Sequence, residues 1–241
     1  MALLLVVANF SVTAVFNIFC SQVSESCTSD PLKERIVLEL RLPRILLAFL
    51  TGAGLSLAGS VLQTVTRNPL ADPYLFGISS GATFGAVLVI AFAGAGLAAQ
   101  GLFSDWIRLG ITGGAFIGSA ISVLLVISLA GRSVQIERMV LAGVATSFMF
   151  SAATSLVLYA SDPQAASSLL FWSLGSFSRA NWDNLTLPFI ILIICFVLFS
   201  GFTRQLTALL AGDENARSLG VEVQKVRISM LLLTSLMTAI L

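Results

Sequence analysis

Leu109 to Gly131 reads LGITGGAFIGSAISVLLVISLAG, 23 residues without a charged side chain. A helix rises about 1.5 Å per residue and the hydrocarbon core of a bilayer is about 30 Å thick, so a run of this length and apolarity reads as one membrane span. Ile45–Thr66, Pro73–Ser104, Met139–Ser161 and Asn184–Thr203 are charge-free runs of the same kind. The fold class this pattern dictates is all-α, a polytopic transmembrane helix bundle.

Composition points the same way. Of 241 residues, 57% are hydrophobic and only 10% charged, whereas a soluble domain carries about a quarter charged residues. The chain has no histidine, and its cysteines are Cys20, Cys27 and Cys195. That inventory excludes a histidine metal site, a Ser-His-Asp triad and a Cys-His dyad, so neither a metal nor a cofactor is expected. A net charge of +1 spread over scattered basic residues excludes a nucleic-acid surface. Cys20 and Cys27 flank the first polar loop and are either a disulfide, if that loop meets an oxidising compartment, or two thiols.

Met1–Cys20 is a sixth apolar run. It lacks the basic start of a secretory signal and carries Asn9, Phe10 and Phe16, so it reads as a retained first span. Ile228–Leu241 is apolar over fourteen residues, too short to cross a bilayer. The expectation is therefore six complete spans and a seventh begun, with 1–241 forming a single transmembrane domain that is incomplete at its C-terminus. If Met1 starts inside, the inner loops hold seven basic residues (Arg67, Arg132, Arg138, Arg204, Arg217, Lys225, Arg227) against six outside, a small bias in the direction of the positive-inside rule.

Gly77, Gly81 and Gly85 recur every four residues, as do Gly110, Gly114 and Gly118. Each set lies along one helix face, where bare backbone permits the close packing that holds helices together in lipid. No span carries an Asp, Glu, Lys or Arg at its centre. Ion-coupled carriers commonly place such a residue or a broken helix near the midplane, so the energy for uphill transport is expected to enter from outside the membrane domain.

Three polar segments remain. Leu40–Arg44 precedes the second span, with Pro43 placed as at a helix start; its arginines either snorkel to headgroups or dock acidic groups of a partner. Arg67-Asn68-Pro69-Leu70-Ala71-Asp72-Pro73 contains two prolines that forbid a continuous helix, so it must be a stiff turn. Loop 204–227 contains Gly212-Asp213-Glu214-Asn215-Ala216-Arg217-Ser218-Leu219-Gly220. Gly212 reads as the end of one short helix, Asp213 as the cap of the next and Gly220 as its stop, giving a rigid plug outside the bilayer.

Arg41-Leu42-Pro43-Arg44, then Asn68–Pro73 leading into Gly77–Ala82, then Leu141-Ala142-Gly143-Val144, then Gly212–Gly220 follow in an order and spacing that resemble the permease family importing iron-siderophore complexes, haem and vitamin B12. The resemblance implies a bacterial inner-membrane protein of about ten spans, of which the last three and most of the seventh are not in this sequence. It implies two permease subunits around one pathway, as a homodimer, two cytoplasmic ATPase subunits, and a periplasmic or lipid-anchored substrate-binding protein. By position, Gly212, Asp213, Glu214, Ala216, Leu219 and Gly220 resemble the element seated on the ATPase. Arg41 matches the arginine that meets the binding protein, with Arg44 beside it. Asn68, Leu70, Ile136 and Glu137 fall at the cytoplasmic gate, where the acidic Glu137 departs from the small polar residue of the family pattern. The implied cargo is a ferric siderophore, with haem, cobalamin and molybdate as alternatives and an ion-coupled secondary transporter as the rival class. No Gly-rich loop followed by Lys and Ser or Thr occurs, so ATP hydrolysis is expected in a separate subunit and no enzyme activity in this chain.

Overall fold

The computed structural model describes residues 11–21, 30–94, 104–131, 136–161, 166–167, 170 and 173–240. Among these, every regular element is helical, as the sequence demands. In chain order they are α1 (Val12–Ser21), α2 (Pro31–Arg35), a π-helical stretch (Ile36–Arg41), α3 (Leu42–Thr66), α4 (Ile78–Gly94), α5 (Ser104–Ala130), α6 (Ile136–Ala160), a 3-10 turn (Phe177–Arg179), α7 (Trp182–Gly201), α8 (Thr203–Leu210), α9 (Asp213–Ser218) and α10 (Val223–Ile240). Five helical stretches among the described residues are long and apolar enough to cross a membrane: Pro31–Thr66, Gly110–Ala130, Glu137–Ala160, Trp182–Gly201 and Val223–Ile240. Ile78–Ala91 is a shorter apolar helix.

The chain divides into two compact units, residues 1–52 with 176–190, and residues 53–175 with 191–241. In the first, Asp30 caps α2, its carboxylate accepting the Leu32 N–H at 3.1 Å. The helix then runs through Pro43 without restarting, which corrects the expectation that Pro43 marks a helix start. The π turn explains how. Leu42 N–H donates to the Val37 carbonyl, five residues back, so the next bond in the same pattern would run from residue 43 to the Leu38 carbonyl. Proline has no N–H to give. Trp182 Nε1 supplies the missing donor instead, at 3.1 Å from that carbonyl. In the same unit Arg44 Nη2 donates to the Ser178 carbonyl at 3.0 Å. Cys20 is disulfide-bonded, and Cys27 lies outside the described residues.

In the second unit, α4 and α5 interlock through the two glycine faces. A Cβ added at Gly81 would stand 2.6 Å from the Gly118 carbonyl oxygen, and one at Gly114 would stand 2.8 Å from the Gly85 carbonyl oxygen. Backbone therefore meets backbone in antiparallel register, with Ser122 continuing the row by donating to the Gly77 carbonyl at 2.7 Å. A separate apolar cluster gathers Val61 and Val65 of α3, Cys195 and Phe199 of α7, Leu209 of α8, Ala216 of α9, and Val226 and Met230 of α10. Cys195 is a fully buried free thiol within it.

The last helix differs from its sequence reading. It begins at Val223, not Ile228, and its 18 residues reach the length of a span. Lys225 and Arg227 had been read as loop charges. Arg227 is instead buried inside the helix turn, because a carboxylate lies within reach.

Candidate functional site

That carboxylate belongs to Asp213. Its Oδ2 accepts from Arg227 Nη1 at 2.9 Å and its Oδ1 from Arg227 Nη2 at 2.8 Å, a fork-to-fork pair of the strong, charge-assisted kind. Arg227 Nε also donates to the Val65 carbonyl near the end of α3, at 3.4 Å. The guanidinium is 3% exposed and the carboxylate 28%, so each ion depends on the other for the water it has lost. A second guanidinium reaches the same carboxylate, with Arg67 Nη2 at 3.1 Å from Asp213 Oδ1.

Asp213 was expected to cap α9, and it does not. Gly212 occupies the cap position with φ 107° and ψ 156°, a conformation essentially restricted to glycine. It also ends α8, its N–H donating to the Leu209 carbonyl at 3.2 Å. A Cβ at Gly212 would meet Arg67 Nη1 at 3.5 Å, so Arg67 lies alongside the bare α-carbon. Asp213 is thereby the first residue of α9, its side chain turned to the two arginines. At the other end Gly220, at φ 81°, closes α9 in a Schellman motif: its N–H donates to the Arg217 carbonyl at 2.9 Å and that of Val221 to the Ala216 carbonyl at 3.0 Å. Ala216 is buried, whereas Glu214 and Leu219 face outward. An open groove of about 520 Å³ runs beside this segment, lined in part by Phe202, Arg204, Gln205, Leu219 and Glu222.

Arg67 is itself unusual. It stands at φ 50°, and its N–H and that of Asn68 close α3 on the carbonyls of Thr64 and Gln63, the pattern glycine ordinarily serves. A left-handed arginine costs about 1–2 kcal/mol, where a glycine would cost little. The turn that follows is stiffened by its own side chains: Asn68 Oδ1 accepts the Leu70 N–H and Asp72 Oδ1 the Leu75 N–H, both at 2.9 Å. Ala71, Pro73 and Phe76 are buried, and Leu70 is 78% exposed.

The start of α6 packs on this turn. Met139 and Ala142 share a cluster with Ala71 and Phe76, Gly143 abuts the Leu75 carbonyl, and Ser147 Oγ donates to the Tyr74 carbonyl at 3.1 Å. Asn68, Leu70 and the exposed Glu137 thus belong to two adjoining segments; the side chain of Ile136 lies outside the described residues. Gly143 and Ser147 are both engaged in this contact. In the other unit, Arg41 ends the π stretch, and part of the Arg44 fork is engaged by the Ser178 carbonyl. Arg67 and Arg227 are the site residues that sequence reasoning missed. Nothing in a linear charge pattern marks Arg227 as the partner of a residue fourteen positions earlier in a different helix.

Comparison with known proteins gives a consistent picture. The chain is 38% identical over 206 residues to the hemin transport system permease protein HmuU of Yersinia pestis, covering 84% of this chain and 59% of that protein. It is 34% identical over 199 residues to the molybdate import system permease protein MolB of Haemophilus influenzae, covering 82% of this chain and 56% of the other. Such figures mean that the chain spans somewhat over half the length of these relatives. A solved structure assigned to the metal-chelate type of ABC transporter, in an inward-facing conformation, superposes with a TM-score of 0.75 at 31% identity, over 94% of this chain and 70% of that one. All of residues 1–241 match one family description, and on that match the chain belongs to the FecCD transport family.

Proposed function

We propose that this chain is the membrane-spanning permease part of an ATP-driven importer, multi-pass in a bacterial inner membrane, with a ferric chelate as cargo. The observation that carries the reading is α9, a short helix stopped at both ends by positive-φ glycines and fixed to the bundle through Asp213. A rigid, partly exposed step of this kind suits the groove of a separate ATPase subunit, which would supply the phosphate chemistry. Relatives named for hemin, molybdate, cobalamin and iron(3+)-hydroxamate transport are 31–38% identical to this chain. The ferric chelate reading rests on the wording of Asn68–Pro73 and Gly77–Ala82, and selection of the cargo is assigned to the binding protein.

ATP binding by the partner would press on α9 and tilt the bundle, so that the pathway changes sides; hydrolysis would reset it. Two copies of the permease would frame the pathway, and Asn68, Leu70, Ile136 and Glu137 would stand at its cytoplasmic end. An ion-coupled carrier would have no use for the α9 plug. The test is affinity purification in mild detergent from native membranes, with identification of whatever co-elutes. A stoichiometric ATP-binding subunit is expected, and Glu214→Lys, a change at an exposed position, should weaken its retention. A homogeneous chain without an ATPase would overturn the importer reading.

A further inference from the structure

Asp213 does more than end a loop. Its carboxylate makes ion pairs with other helices, whereas Asn215 and Ser218 bond to carbonyls of their own segment. Through Arg227 it is tied to α10 and the Val65 carbonyl, and through Arg67 to the residue from which the Asn68–Gly77 turn departs. Both glycines flanking α9 sit at positive φ, so the backbone at its two ends is of the type that glycine alone adopts cheaply. Arg67 is held left-handed where a glycine would cost less, and that choice of residue makes sense if its side chain is needed. We propose that Arg67, Asp213 and Arg227 form a positioning node that joins α9 and the Asn68–Gly77 turn into one mechanical element.

The chemistry fits a link that carries displacement. Arg227 is buried and bidentate, and a fork-to-fork pair resists rotation as well as separation. Arg67 shares Oδ1 with it, so a shift of the carboxylate moves both guanidiniums. The turn beyond Arg67 is braced by the Asn68 and Asp72 side chains, and it bears against Gly143 and Met139 of α6. Movement of α9 therefore has a continuous polar and packed route to Leu70 and the start of α6. The direction of the push rests on the importer reading; the linkage itself does not.

Arg67→Gly is the informative variant. Glycine suits the left-handed backbone better than arginine, so the end of α3 is retained, and Asp213 keeps its bidentate pair with Arg227. A merely structural helix stop would leave both readouts unmoved. The first readout is amide hydrogen exchange of the chain in lipid nanodiscs, followed by mass spectrometry. Exchange is expected to rise about tenfold or more in both α9 and the Asn68–Leu75 turn, with Arg67→Lys intermediate because it keeps the charge and loses the fork. The second is cargo moved per ATP hydrolysed in proteoliposomes holding the complete assembly, expected to fall while the ATPase remains bound. Unchanged exchange in α9 would overturn the node, even where transport is coupled to ATP. Raised exchange in both segments, in a chain that binds no ATPase, would support the node and overturn the importer reading. Asp213→Asn is the second probe, expected to loosen the same two segments further.

Discussion

Two guanidiniums converge on one carboxylate, that of Asp213. Its position before a helix, after Gly212, is where caps occur, and the sequence offers no means of seeing Arg67 and Arg227 approach from 146 and 14 residues away. Glycine took the cap because the chain needs φ 107° there, which freed the carboxylate for the two cations. Removing the charge should be costly. Asp213→Asn leaves Arg227 buried without its counter-ion, and the expected loss is on the order of 3 kcal/mol, read as a lower midpoint of thermal unfolding in detergent. Glu214→Asn at the exposed neighbouring position should shift that midpoint hardly at all.

Among the elements, the glycine faces and the proline turn were legible and the π stretch was not. Gly81, Gly85, Gly114 and Gly118 declare themselves because a four-residue period of a residue without a side chain has few other uses in lipid. Asn68–Pro73 is equally plain, since two prolines and two Asx side chains leave no helical alternative. Pro43 was read as a helix start, because proline suits the first turn of a helix; it also suits an interior site whose freed carbonyl finds another donor. Gly85→Ala should separate α4 from α5, because the added methyl would overlap the Gly114 backbone; a loss of about 1–3 kcal/mol is expected, measurable as the shift in unfolding midpoint. The Trp182 bond makes a second prediction. Trp182→Phe removes the donor from the Leu38 carbonyl and should cost about 0.5–1.5 kcal/mol. In a Pro43→Ala background, which restores an N–H at that position, the same change should cost much less. Equal costs in the two backgrounds would show that the indole does not substitute for the missing amide.

For the molecule as a whole, apolar runs and loop charges gave the helical class and most of the span positions, and they failed at α10. A charge inside a helix looks like a loop residue until its partner is known, so Lys225 and Arg227 pushed the sequence boundary past Val223. At this scale the proposed docking of a binding protein at Arg41 is also open to test. Arg41→Glu should weaken association with the binding protein most strongly at low ionic strength, where an exposed pair is least screened. Equal affinity for both forms at low salt would leave Arg41 a headgroup anchor. Cys195 offers something different. It sits with no exposed surface amid side chains from α3, α7, α8, α9 and α10, while Cys20 is already oxidised. A maleimide can capture this sulfur only when those five helices part, so its labelling rate under non-reducing conditions is a clock for the opening of the second unit, set into the chain without any engineered probe.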